Sequence, residues 1–229
     1  MSRFKAKLLG GYPAVVVNPD HPHPGLVEYL GGLPVDAVFI DCEQGSADVE
    51  TVENMARAAR LKQLTSLVRL FSGDDWVIER YMGRGVDGIV VPRLETPEQA
   101  DRVVQAVRYC YPKNHQQKII VVQIETRSAF EALDSFLKID GIDVFFIGPV
   151  DLSKSLGHGG DFRTAEMQAV LDEAIGAIRK AGRVAGTLVG FDDARSYVER
   201  GAQFLYCHAN DFLGEGARKF AQLAGREAG

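Results

Sequence analysis

A (β/α)8 TIM barrel is predicted by three observations: eight short apolar runs, an amphipathic or helix-compatible stretch after each, and ionisable residues crowded just past the run ends. Runs that are apolar throughout, with no alternation, mark strands covered on both faces. Eight strand–helix units in 229 residues, with no linker or low-complexity stretch, predict one barrel domain over residues 1–229. An open doubly wound sheet would normally carry a glycine-rich first turn, and Val16-Val17-Asn18-Pro19-Asp20 is not one.

The strands are expected at Ala14–Val17, Ala37–Asp41, Ser66–Leu70, Gly88–Val91, Ile119–Ile124, Val144–Ile147, Val184–Val189 and Phe204–Cys207. Between the second and third, Val52, Met55, Ala56 and Ala59 recur at helical spacing within Val49–Arg60, with charges on the other side. After the fourth, Thr96 can cap a helix that begins at Pro97-Glu98. A further helix runs from Ala165 to Ile178 and on to Lys180, and Gly182 ends it before the seventh strand.

Bulk properties narrow the function. With 26 basic and 31 acidic side chains the net charge is −5, so nucleic acid and anionic membranes are not expected partners. The start, Met1 to Lys7, leads into no apolar stretch of signal-peptide or membrane-span length. Cys42, Cys110 and Cys207 show no metal-type spacing and read as reduced thiols, which predicts a cytoplasmic protein.

In a barrel, chemistry sits where strands end at their C-termini. There Glu125 follows Ile119–Ile124, and Asp151 follows Val144–Ile147. A carboxylate beside an apolar strand end is costly unless a cation or hydrogen bonds satisfy it. The two lie about one strand–helix–strand unit apart, which suits adjacent strands facing one hard cation. The plainer alternative is that each caps the helix that follows. No lysine lies inside a strand, which argues against Schiff-base chemistry.

Asp41-x-Glu43-x-Gly45, Val68-Arg69, Gly88-Ile89-Val90-Val91-Pro92-Arg93, Gln123-Ile124-Glu125-Thr126 and Gly148-Pro149-Val150-Asp151-Leu152-Ser153 follow one another in this order. Together they resemble the HpcH/HpaI aldolase / citrate lyase family, the metal-dependent class II pyruvate aldolases. The resemblance implies a barrel of the phosphoenolpyruvate/pyruvate type that assembles into homo-oligomers, trimers or hexamers. It implies that Glu125 and Asp151 bind a divalent cation (Mg2+, Mn2+ or Co2+), and that Arg69 steadies an enolate oxygen. Gly148 would shape the turn after which the backbone amides of Val150 and Asp151 receive the substrate carboxylate, and Gln123 would orient water or substrate. The implied substrates are a 2-oxo acid, pyruvate or oxaloacetate, together with an aldehyde.

Three departures qualify the resemblance. Gln44 stands where the family carries a proton-shuttling histidine paired with the equivalent of Asp41, and an amide cannot exchange a proton near neutral pH. Gly83 aligns with a family acid contributed across a subunit interface. The loop 109–118 is shorter than its family counterpart and lacks the arginine–glycine stretch. His21, His23 and His208, on neighbouring strand ends, are candidates to replace the missing proton carrier. The expected activity is aldol cleavage of a 4-hydroxy-2-oxo acid through a pyruvate enolate. The alternatives are citrate synthase-like condensation or decarboxylation of oxaloacetate, or a binding barrel without turnover.

Overall fold

A computed structural model describes residues 2–226. Its eight strands are β1 Ala14–Asn18, β2 Ala37–Asp41, β3 Thr65–Arg69, β4 Gly88–Val91, β5 Ile119–Ile124, β6 Val144–Ile147, β7 Val184–Leu188 and β8 Phe204–His208. All pair in parallel, in sequence order, and β8 closes on β1. This is the predicted (β/α)8 barrel. The strand ends move by one residue from expectation: β1 and β8 extend to Asn18 and His208, β3 spans 65–69, and β7 stops at Leu188. Asn18 and His208 are polar residues that still pair in the ladder, so hydropathy alone ends those strands too early.

Helices follow the predicted pattern. α3 (Val49–Leu61) buries Val52, Met55, Ala56 and Ala59, and α9 covers Ala165–Lys180. α5 (Pro97–Cys110) opens on a complete capping box between Thr96 and Gln99. α8 (Pro149–Leu156) starts directly behind β6, with Gly148 as its N-cap and proline in its first turn.

Two apolar cores result. The outer one lies between barrel and helices, and includes Ile40, Met55, Val68, Ile89, Ile124 and Ile147. The inner one fills the barrel with Val16, Phe39, Leu67, Val90, Val121, Phe146, Phe204 and Tyr206. Phe39 and Phe146 both pack edge-on against Tyr206, with centroids 4.6 and 5.7 Å away, and seal the barrel below its C-terminal mouth.

The sequence pattern did not announce α1 (Arg3–Leu9), which closes the opposite mouth. Phe4 and Leu8 join the inner core, and Lys5 meets Asp143 at 2.9 Å. Three aspartates at this end, Asp36, Asp87 and Asp143, accept the backbone N–H groups of Val15, Ser66 and Ile120 at neighbouring strand starts. No helix among the described residues is long and apolar enough to cross a membrane.

Candidate active site

Side chains two residues apart on a strand point to the same face. Asp41 lies two past Phe39, Arg69 two past Leu67, Gln123 two past Val121 and His208 two past Tyr206, and each earlier residue belongs to the inner core. The layer above the aromatic seal is therefore polar and points into the mouth. It opens as a cavity of about 170 Å³ bordered by Asp41, Gln44, Arg69, Gln123, Glu125, Gly148, Val150, Asp151, Lys154, Tyr206 and His208. Gln44, Arg69, Gln123, Glu125, Gly148, Val150 and Asp151, all expected from the sequence, lie around this one space.

Arg69 is held on one side of it. Nε and one terminal nitrogen donate to the two Asp41 oxygens at 2.9 and 2.6 Å, and the other terminal nitrogen lies 3.1 Å from Glu43. A two-pronged pair of this kind fixes the guanidinium plane. Asp41 Oδ1 also accepts the backbone N–H of Glu43 and Gln44. Burial opposes ionisation of Asp41, but the Arg69 hydrogen bonds and charge, with those two amides, outweigh it and hold the carboxyl below its usual range. Glu43 continues the chain to Arg93 Nε at 2.8 Å. Arg69 is thus both ion-paired and part of the cavity lining.

Glu125 is treated differently. It is 3% exposed, yet among the described residues it meets no cationic side chain within salt-bridge range. Oε1 accepts the backbone N–H of Arg93 at 2.8 Å, and Oε2 accepts Nε2 of Gln123 at 2.7 Å. Burial pushes the Glu125 carboxyl up to about 7; the Arg93 amide pulls it down, Glu43 and Asp151 raise it further, and Arg69 counters them. Gln123 spends an amide N–H on Glu125, and its Oε1 is buried without a partner among the described residues. Asp151, in the first turn of α8, receives Lys154 Nζ at 2.9 Å. Gly148 passes so close that a Cβ there would lie 2.7 Å from Glu125 Oε2, which explains the glycine without appeal to its φ.

These residues fit a hard divalent cation. Two carboxylates and an unpaired amide oxygen supply oxygen donors alone, and a cation would relieve the strained ionisation of Glu125. Among the described residues no three His, Cys, Asp or Glu side chains gather as a ligand set. The pair therefore leaves most of a roughly six-position shell to water and substrate.

The departures from the family pattern have clear positions. Gln44 is exposed at the cavity edge. Gly83 ends α4 (Asp75–Met82) and is also exposed. His23 is the N-cap of α2 (Pro24–Leu30), its Nδ1 accepting the Gly25 N–H at 3.1 Å, and His21 is exposed outside the cavity lining. Only His208 among the three borders the cavity.

Four residues contribute in roles that sequence inspection does not reveal. Arg93 acts through its main chain: φ of +55° turns its N–H onto Glu125. Glu43 bridges two arginines, Lys154 neutralises Asp151, and Asp20 reaches His208 across 188 positions. A strand ending in Pro92-Arg93 hints at a special turn, but nothing in the string aims its amide.

An eight-stranded barrel with convergent charged groups at the C-terminal mouth is the layout of a barrel enzyme. The HpcH/HpaI aldolase/citrate lyase family profile matches residues 20–210, and the chain belongs to that family. The hydroxypyruvate/pyruvate aldolase of Roseovarius nubinhibens is 31% identical, over 88% of this chain and 88% of its own length. The 4-hydroxy-2-oxo-heptane-1,7-dioate aldolase of Shigella flexneri is 30% identical, over 88% of this chain and 85% of its own. Among solved structures, an HpcH/HpaI aldolase/citrate lyase family protein from Burkholderia cenocepacia superposes with a TM-score of 0.90. It is 23% identical, over 98% of this chain and 99% of that one, and carries the fold comparison alone.

Proposed function

We propose that this chain is a divalent-cation-dependent carbon–carbon lyase that cleaves a 4-hydroxy-2-oxo acid to pyruvate and an aldehyde, and runs the reverse addition. The observation that carries the proposal is Glu125, a carboxylate 3% exposed, beside Asp151 and the unpaired oxygen of Gln123, with Arg69 lining the same space. Mg2+, Mn2+ or Co2+ held by Glu125 and Asp151 would supply Lewis acidity to the carbonyl of a bound 2-oxo acid. The chain's own groups do the rest. Arg69, fixed by Asp41, presents a permanent positive charge to oxygen that gains negative charge as the enolate forms. The Val150 and Asp151 amides, in the first turn of α8, receive the substrate carboxylate. The aromatic seal of Phe39, Phe146 and Tyr206 excludes water from below. The reading extends to a cytoplasmic homo-oligomer of three or six chains; exposed Phe71, Trp76, Phe220 and Leu223 offer apolar surface for other copies.

The test is pyruvate in D2O with Mg2+ or Mn2+, followed by NMR, and then a panel of aldehydes. Methyl deuteration that requires the cation and vanishes in Glu125→Ala is expected, with a new C–C bond to at least one aldehyde. No exchange, or exchange unaffected by Glu125→Ala, contradicts the proposal. One observation favours a second reading, decarboxylation or thioester condensation of oxaloacetate: Asp41 is locked on Arg69 and Gln44 cannot carry a proton. Oxaloacetate with and without acetyl-coenzyme A, scored for CO2 and free thiol, separates it.

A further inference from the structure

Aldol cleavage needs a group that takes the proton of the substrate's C4 hydroxyl, and the groups facing the cavity can be sorted by that need. Asp41 is held ionised by Arg69. Arg69 carries a permanent charge. Tyr206 is driven far above its ordinary range by burial. Glu125 and Asp151 are the cation's ligands in the proposed function, and Lys154 neutralises Asp151. His208 is what remains, at the end of β8.

Its surroundings are built. His208 Nδ1 lies 2.6 Å from Asp20 Oδ1, across the β8–β1 seam. Asp20 is itself fixed: Oδ2 accepts the Asn210 N–H at 2.8 Å, and its own N–H donates to Asn18 Oδ1 at 2.9 Å. It sits at φ +60°, a left-handed conformation that few non-glycine residues adopt. Its carboxyl side chain is 13% exposed. The Tyr206 ring packs edge-on against the imidazole, with centroids 5.0 Å apart. With a carboxylate acceptor at Nδ1, the neutral imidazole carries its proton on that nitrogen and offers Nε2 as an acceptor, which has no partner among the described residues. An imidazole oriented by a carboxylate, in the lining of a substrate cavity, is a general acid–base arrangement.

We infer that His208, positioned by Asp20, is the acid–base residue of this site, replacing at the β8–β1 seam the proton carrier that Gln44 cannot be. The inference rests on the lyase reading above. In cleavage, Nε2 takes the C4 hydroxyl proton while the C3–C4 bond breaks. The bonding pair passes into the C2–C3 enolate opposite Arg69, and the aldehyde leaves. The proton returns from the imidazolium to C3, giving pyruvate and restoring neutral His208. The addition runs the same steps backwards. Asp20 is a positioning residue: it fixes the tautomer and ring and does not itself exchange the proton.

The test uses the full chain with Mn2+, the aldol formed from pyruvate and the aldehyde that reacts in the panel, and oxalate as a binding probe. His208→Ala should bind Mn2+ and oxalate as the wild type does, and should lose cleavage about 10²- to 10³-fold in kcat. Added imidazole should restore it at least about tenfold. Asp20→Asn should lose roughly tenfold or more in kcat with KM unchanged. His208→Asn, whose amide can still donate to Asp20, serves where the alanine variant is unstable and should show the same loss. Cleavage by either His208 variant at the wild-type rate overturns the assignment, and so does a loss that imidazole leaves unrestored in His208→Ala. If the wild type itself neither exchanges pyruvate protons nor cleaves any aldol, the lyase reading falls first and the dyad with it. If the wild type cleaves and His208→Ala cleaves equally, the dyad alone falls.

Discussion

At the N-terminal mouth of the barrel, Lys5 donates both to Asp143 and to the carbonyl of Gln116, and Asp143 in turn accepts the Ile120 N–H. At the C-terminal mouth, Glu125 is more deeply buried and has two neutral donors beside it, while the Oε1 of the Gln123 that supports it has no partner among the described residues. The first end settles its buried charge within the chain. The second leaves a negative site open. An ion pair closed by short bonds locks a loop or a helix in place; a carboxylate at 3% exposure with no ion-pair partner among the described residues costs folding energy and marks a candidate binding site. Stability and chemistry are thus divided between the two ends of one set of strands.

Substitutions at the two ends should therefore behave oppositely. Glu125→Gln removes the proposed cation ligand and a destabilising charge together; turnover should fall by about 10³-fold or more, while urea unfolding shows no loss of stability. If the variant turns over normally, the open-site account fails. Lys5→Met leaves Asp143 buried without its cation, and unfolding should cost about 3 kcal/mol, with kcat within about twofold of wild type where the protein is folded. A loss of activity without loss of stability would erase the contrast. Gly148→Ala puts a methyl group 2.7 Å from Glu125 Oε2, and cation affinity measured by titration should drop about tenfold to a hundredfold.

The same contrast appears in the pH dependence of unfolding. The Glu125 carboxyl titrates at about 7 when folded and near its ordinary 4.5 when unfolded, so between those values the folded state holds more protons. Stability contributed by this group is present below about 4.5 and is lost as pH rises to about 7, by roughly 3 kcal/mol at most. The difference curve between wild type and Glu125→Gln should carry that slope, because Asp143, also shifted upward by burial, is common to both proteins. A flat difference curve breaks the claim that Glu125 is held against its ionisation. Added Mn2+ should recover the lost stability above pH 7.

Much of this contrast was legible in the amino-acid string, and one end far more than the other. Apolar runs and helix caps gave all eight strands to within a residue or so, since burial on both faces leaves a continuous signal. Glu125 and Asp151 stood out as carboxylates at apolar strand ends, and Arg69, Gln123 and Gly148 came with the family motifs. α1 was missed because seven residues carry little periodicity and its value lies in closing a mouth that only the finished barrel has. Arg93 was missed as a contributor because its main chain, not its side chain, does the binding. The Asp20–His208 contact forms only when β8 meets β1, and no local pattern reports that closure.

The account stands on the carboxylate pair at the C-terminal mouth. Calorimetric titration of the wild type and Glu125→Gln with Mn2+, each with and without oxalate, tests it most directly. The account predicts one Mn2+ per wild-type chain, bound more tightly with oxalate, and neither effect in Glu125→Gln. Equal Mn2+ binding by the two proteins, or wild-type binding indifferent to oxalate, would contradict it.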